Sequence, residues 1–455
     1  MKKFLALFTA LIMILAACGI AAAELEARKT ETAADADEFI AAFLGEHPEE
    51  LDGGWVLDPQ MEAALKTPGG FGGLAKQFAA LGTPEKIEPA YEGEIQGYKA
   101  FYVPVVFPAM SMDLILVVQD GAIAGLSTGA YSGGKETEPE PETTPEAEKS
   151  AAFDSVELAL PVTGLGELQG ILTVPKGEGP FPAVVLIHGS GASDMDETVG
   201  SIKPFRDLAE GLAAQGIAVY RFDKRTKTYG VQIMENTQFT LEDESVEDAV
   251  NAVQLLAAQE KIDQDRILVL GHSLGGNAIP AIARALEGIP VKACGFIMMA
   301  ASPRPLDVLM REQIAYLDSL GRIPEDQKQA YGDMLKELDK LQDIDSLPED
   351  EPVAGAYPAY WRWLKDYDIL QAADEITQPV LLLQGEEDYQ VTMEDFGIWQ
   401  EHFGKKENRT LKSYPGLTHC FTPGVKTEGV NAYLGDKKID ARVISDIAEF
   451  VNGIQ

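Results

Sequence analysis

The segment RILVLGHSLGGNAIP, Arg266 to Pro280, decides how this chain is read. An apolar run of Ile, Leu and Val breaks at Gly-His-Ser-Leu-Gly, and small and apolar residues resume behind it. A buried strand that passes into a helix through a serine flanked by glycines holds the hydroxyl at a tight, exposed turn. The pattern alone does not identify such a turn, because GLSTG, Gly125 to Gly129, also fits Gly-x-Ser-x-Gly. Context separates the two. Behind Ser127 comes SGGKETEPEPETTPEAEKSA, rich in Glu, Pro and Thr and without apolar periodicity, so no helix follows and Ser127 is read as structural. Behind Ser273 the apolar pattern continues at helical spacing.

Outward from Ser273, the runs FPAVVLIHG, GIAVYRFD, RILVLGH, ACGFIMMA and PVLLLQGEED are short, apolar and separated by helical patterns. Strands buried on both faces read this way, and strands alternating with helices form an open, mostly parallel sheet covered on both sides. In such sheets chemistry gathers at the carboxyl ends of the strands, which is where Ser273 falls. FDSVELAL and GELQGILTVP ahead of them read as a hairpin. The stretch 303–374 is longer than a crossover needs and carries two amphipathic helices and the aromatic run YPAYWRWL. It is expected to be a lid over the site, with Tyr360 and Trp361 lining an acyl pocket; a packed structural excursion is the other reading.

A chain of 455 residues exceeds one ordinary core, so two domains are expected. Residues 24–133 read as a small α+β domain: ADEFIAAFL and LAKQFAALG have helical periodicity, and the stretch from Tyr98 to Gly129 alternates like an antiparallel sheet. Residues 134–151 form the linker and 152–455 the second domain. A hydrophobic content of 45% with 24% charged residues is that of a soluble globular protein. The net charge of −36 repels phosphate backbones, which argues against nucleic acid, an anionic membrane surface or a polyanionic substrate.

Residues 1–23 read as an export signal. Lys2 and Lys3 precede the apolar run Phe4 to Ala17, too short to span a bilayer as a helix. LAAC, Leu15 to Cys18, resembles a lipoprotein processing site that would tether the protein to a membrane through lipidated Cys18. AAA before Glu24 would instead release a freely secreted product. Cys294 and Cys420 are too few for a disulfide framework, and no Cys/His cluster has zinc spacing, so neither a metal nor a cofactor is expected.

A serine hydroxyl is a poor nucleophile until a base takes its proton, and the base is usually a histidine oriented by a carboxylate. Of the five histidines, His47 lies in the other domain, His188 and His272 occupy turns beside glycines, and His402 sits on a helical stretch. His419, in the loop YPGLTHCFTPG near the chain end, is left as the base. The carboxylate belongs after the strand between serine and histidine, where LLLQGEEDYQV offers Asp388, with Glu387 as the alternative. Two backbone N–H groups must face the developing oxyanion. Leu274, directly after the nucleophile, supplies one. The loop after AVVLIHGSG supplies the other, from Ser190 or alternatively Gly191.

Taken together, HGSGASDMDE (His188 to Glu197), YRFDKRTKTYG (Tyr220 to Gly230), GHSLGG, PVLLLQGEEDYQV and GLTHCF resemble, in order, the motifs of bacterial α/β-hydrolase-fold carboxylesterases. The similar branch lies near the dienelactone hydrolases and prolyl-oligopeptidase-like hydrolases. The first domain and linker resemble a domain of unknown function found ahead of exported esterases. The resemblance implies Ser273 as nucleophile, Asp388 and His419 as its partners, a small-molecule ester as substrate, and no metal. Met195 departs from it, standing where relatives often carry arginine. Pro280, inside the helix behind Ser273, removes a bond to Gly276 and is expected to kink that helix.

Overall fold

The computed structural model describes residues 28–130, apart from 46–47, 52–53, 59–60, 96–97, 108–110 and most of 62–82. It also describes residues 152–454, apart from 234–235, 324–326, 405 and 436. The expected export signal with Cys18, the linker and nearly all of LAKQFAALG lie outside the described residues. The chain divides into two compact units, residues 1–146 and 147–455.

In the first unit, helix α1 (Ala33–Phe43) opens with a capping box: Thr32 accepts from Asp35 N–H, and the Asp35 carboxylate accepts from Thr32 N–H. Strands β1 (Lys86–Ile87), β2 (Tyr91–Ile95), β3 (Tyr98–Val106), β4 (Ser111–Gln119) and β5 (Ala122–Ala130) pair antiparallel. Phe39, Ile40 and Phe43 of α1 pack on Phe101, Val103, Leu114 and Leu116 of the sheet. Ser127 sits within β5, paired with Ile115 of β4. A mid-strand register position offers no turn on which to mount a nucleophile.

In the second unit, β6 (Phe153–Glu157) and β7 (Leu160–Val162) run against β9 (Gly170–Pro175) and β8 (Gly166–Leu168), as two antiparallel pairs. Then come β10 (Phe181–Ile187), β11 (Ala218–Phe222), β12 (Ile262–His272), β13 (Gly295–Met299), β14 (Val380–Gly385) and β15 (Arg409–Tyr414). The sheet order is β15-β14-β13-β12-β10-β11-β9-β6, parallel from β15 through β11. Successive strand residues point to opposite faces, and both faces are covered. On one, Val185, Ile187, Val269, Met298 and Leu382 meet α3 (Glu247–Ala257) and α4 (Leu274–Glu287). On the other, Val184, Leu186, Leu270, Ile297 and Leu383 meet α2 (Pro204–Ala213) and a last helix, Ala441–Gly453. This double burial is why the strands read as unbroken apolar runs. It is the expected α/β-hydrolase architecture.

Among the described residues, α-helices α5 (Leu306–Ser319), α6 (Lys328–Lys340), α7 (Pro358–Asp366) and α8 (Ile369–Glu375) lie between β13 and β14. Ile314, Leu317, Met334, Leu338, Ile344 and Trp361 give this insertion a small core of its own. Tyr367, beyond α7, reaches α4 at its proline. Its O–H accepts from Ala281 N–H (3.1 Å) and donates to Asn277 C=O (3.1 Å), bridging a rung of the helical ladder beside Pro280. The insertion thereby satisfies backbone groups that the proline-bearing turn would leave unpaired.

Candidate active site

Ser273 sits where β12 passes into α4. Its φ of 54° and ψ of −119° lie where side-chain-bearing residues rarely go, at a cost of about 1–3 kcal/mol. Neighbouring contacts hold it there. Ser273 N–H donates to Met299 C=O on β13 (2.8 Å), and Ser273 C=O accepts from Asn277 N–H (3.0 Å). The flanking glycines are steric necessities: a Cβ on Gly275 would lie 2.3 Å from Ile187 O, and one on Gly271 would lie 2.1 Å from Gly275 O. The strand-to-helix turn closes only because both lack side chains.

His419 and Asp388 come together behind β15 and β14. His419 Nδ1 lies 2.7 Å from Asp388 Oδ2, both residues buried. The Asp388 carboxylate also accepts from Gln390 N–H (2.7 Å), Val391 N–H (3.0 Å) and Gln384 Nε2 (3.1 Å). Four donors on one carboxylate fix its orientation and hold Nδ1 as the protonated ring nitrogen. The two neighbouring acids point elsewhere: Glu387 accepts from Lys426 N–H and Glu386 from Ser413 Oγ–H. Asp388, and not Glu387, is thus the acid that meets His419.

His272 ties this pair to the serine. Its ring lies 4.7 Å from the His419 ring, centroid to centroid, and its Nε2 is 3.0 Å from His419 C=O. His272 Nδ1 lies 2.9 Å from Glu197 Oε2, an ion pair rather than an aligned hydrogen bond. Burial works against charge on both, yet each partner's charge prevails: the Glu197 pKa is lowered and the His272 pKa raised. The other Glu197 oxygen accepts from Gly189 N–H (2.7 Å). One buried carboxylate thus joins the serine turn to the loop after β10.

That loop lies against Ser273, since a Cβ on Gly189 would stand 3.1 Å from Ser273 Cβ. Residues after β11 brace it from behind. Met195 N–H donates to Asp223, Lys224 N–H to Ser193 C=O, and Thr226 Oγ1–H to Gly191 C=O. His188, packed on Phe205 and Phe222, is pushed by burial to a pKa of about 4, so it stays neutral and donates from Nε2 to Asp194 C=O. Among the described residues, neither Ser190 N–H nor Leu274 N–H takes a hydrogen-bond partner. Both remain available to an oxyanion.

Tyr360 and Trp361, expected to line an acyl pocket, are instead packing residues. Trp361 is buried in the insertion's own core and donates from Nε1 to Val353 C=O (2.7 Å). Tyr360 is buried in the main core and donates to Glu244 (2.5 Å). Helical periodicity told that these aromatics face inward but not which interior they face. Trp361→Ala is therefore expected to cost about 3–5 kcal/mol of stability while leaving acyl-length preference in place. Thermal unfolding and a chain-length series measure the two effects separately.

Glu197, His272 and Lys224 were not singled out from sequence, although the motifs His188–Glu197 and Tyr220–Gly230 contain two of them. A buried charge is the usable signal: acids and lysines are almost never fully buried unless paired.

Residues 179–423 match the family described as serine aminopeptidase, S33. Over 338 residues the chain is 38% identical to Esterase EstD of Thermotoga maritima, covering 74% of this chain and 76% of that protein. Among solved structures, Est1E from Butyrivibrio proteoclasticus aligns at 17% identity with a TM-score of 0.42, covering 65% of this chain and 97% of its own. An esterase of Pyrococcus furiosus aligns at 17% identity with a TM-score of 0.40, covering 66% and 91%.

Proposed function

Because the chain belongs to the hydrolase family described as serine aminopeptidase, S33, we propose that it is a serine carboxylesterase acting on short- to medium-chain acyl esters. The observation that carries the proposal is the buried His419–Asp388 pair, 2.7 Å apart, joined through His272 to the strained Ser273 turn. Ser273 Oγ attacks the acyl carbon while His419 Nε2 takes its proton. The N–H groups of Ser190 and Leu274 receive the carbonyl oxygen as its charge develops. When the ester C–O bond breaks, the imidazolium returns the proton to the departing alkoxide, and the acyl group stays on Ser273. A water molecule, losing its proton to His419, then attacks the acyl-enzyme, and the Oγ–C bond breaks as the imidazolium hands that proton to Ser273 Oγ, releasing the carboxylic acid. Asp388 holds the imidazole tautomer throughout.

A p-nitrophenyl ester series tests this. kcat/KM should climb by about fourfold per methylene over the shortest chains, the equivalent of about 0.8 kcal/mol of burial each, and fall once the chain outgrows its cavity. The family's description favours one second reading, removal of an amino-terminal residue by the same attack on an amide. Aminoacyl p-nitroanilides turned over faster than every p-nitrophenyl ester would establish it instead. For localisation we propose export with a lipid at Cys18, supported by Lys2, Lys3 and the Leu15–Cys18 motif; loss of radiolabelled palmitate incorporation in Cys18→Ala would bear this out.

A further inference from the structure

Lys224, just past the end of β11, is buried with 2% exposure. Its ammonium donates to Gly189 C=O (2.6 Å) and lies 2.5 Å from Glu244 Oε1. The other Glu244 oxygen accepts from Tyr360 O–H (2.5 Å), so helix α7 of the insertion anchors the far end of the chain. Burial and the Glu244 charge push the Tyr360 pKa well above its usual value, so the phenol stays a donor.

The carbonyl that Lys224 grips belongs to the same peptide unit as Ser190 N–H. A peptide is planar and conjugated, with its C=O and N–H directed oppositely. A cation on the carbonyl oxygen draws electron density from the amide and makes the N–H a stronger donor, as polarised hydrogen bonds in series do. The Gly189 N–H is held at the same time by Glu197 (2.7 Å), so the unit is clamped on both sides of the Gly189 α-carbon. Building a fully buried lysine into a core is costly unless it is paired and hydrogen-bonded; here one of its partners is the backbone of the oxyanion loop.

We infer that Lys224 is a positioning residue that orients and polarises the Gly189–Ser190 peptide for oxyanion binding, supported through Glu244 by Tyr360 of the insertion. The inference rests on the esterase reading and on Ser190 as an oxyanion donor. Because Lys224 acts on charge that exists only in the tetrahedral state, its removal should be felt there and not in substrate binding.

The test uses the full-length enzyme and p-nitrophenyl acetate, with two inhibitors: a trifluoromethyl ketone, which Ser273 converts to a tetrahedral hemiketal oxyanion, and the matching methyl ketone, which binds without that adduct. Lys224→Met is expected to lower kcat by about 10- to 100-fold, less than the loss of an oxyanion donor itself, with KM within about twofold. Affinity for the trifluoromethyl ketone should fall by the same factor, and affinity for the methyl ketone should hold. Should Lys224→Met fail to fold, Lys224→Gln carries the test: a neutral donor without the charge should give a smaller loss of the same pattern. Unchanged kcat and trifluoromethyl ketone affinity would overturn the inference, as would a loss shared equally by both ketones and KM, which marks a purely structural lysine. Absence of ester hydrolysis in the unaltered enzyme, or full activity in Ser273→Ala, would instead remove the esterase reading itself.

Discussion

Replacing Ser273 with alanine is expected to lower kcat by at least about 10³-fold, a loss of about 4 kcal/mol in transition-state stabilisation. The fold should persist, because the contacts that hold the turn are made by the Ser273 N–H and C=O and by Gly271 and Gly275, none of which the substitution touches. Unchanged circular dichroism with activity lost would therefore locate the effect in the hydroxyl. A serine-directed fluorophosphonate should label the unaltered protein and leave Ser273→Ala unlabelled. Ser127→Ala is the control: its position inside β5 predicts near-normal turnover. Equal losses from both serines would refute the assignment of the nucleophile.

Asp388→Asn should cost on the order of 10³-fold or more in kcat. An amide at this position can donate a hydrogen bond to Nδ1, which holds the proton on Nε2 and leaves no lone pair there to accept the serine proton. The same substitution disturbs the donors from Gln390, Val391 and Gln384, so a fall in thermal stability is expected as well. Glu387→Gln, at a carboxylate that accepts from Lys426 N–H at 3.1 Å and does not meet His419, should leave kcat within about twofold of normal. The two variants assayed side by side on p-nitrophenyl acetate decide the matter, and a reversed order of losses would move the acid by one residue.

Much of this could be read from residues in order along the chain. The apolar runs around Val184, Leu268, Ile297 and Leu382 announce strands buried on both faces, because period and burial are local consequences of strand geometry. Gly271 and Gly275 mark the serine turn for a similarly local reason, the backbone separations there leaving no room for a Cβ. His419 emerged by elimination among few histidines, and Ser273 by the helical pattern behind it. Asp388 was the first choice with Glu387 as the alternative, because three consecutive acids share one loop, and only the approach of the β15 loop decides which one meets His419. Tyr360 and Trp361 show the same limit, since adjacent residues on one helix enter two different cores. Glu197 and Lys224 were the least legible. Their meaning lies in pairs formed across the fold, Glu197 with Gly189 and His272, Lys224 with Gly189 and Glu244. Local sequence determines which backbone conformations are open and which faces are apolar. Burying a charge is tolerable only where distant segments converge to neutralise it, and that convergence belongs to the tertiary structure.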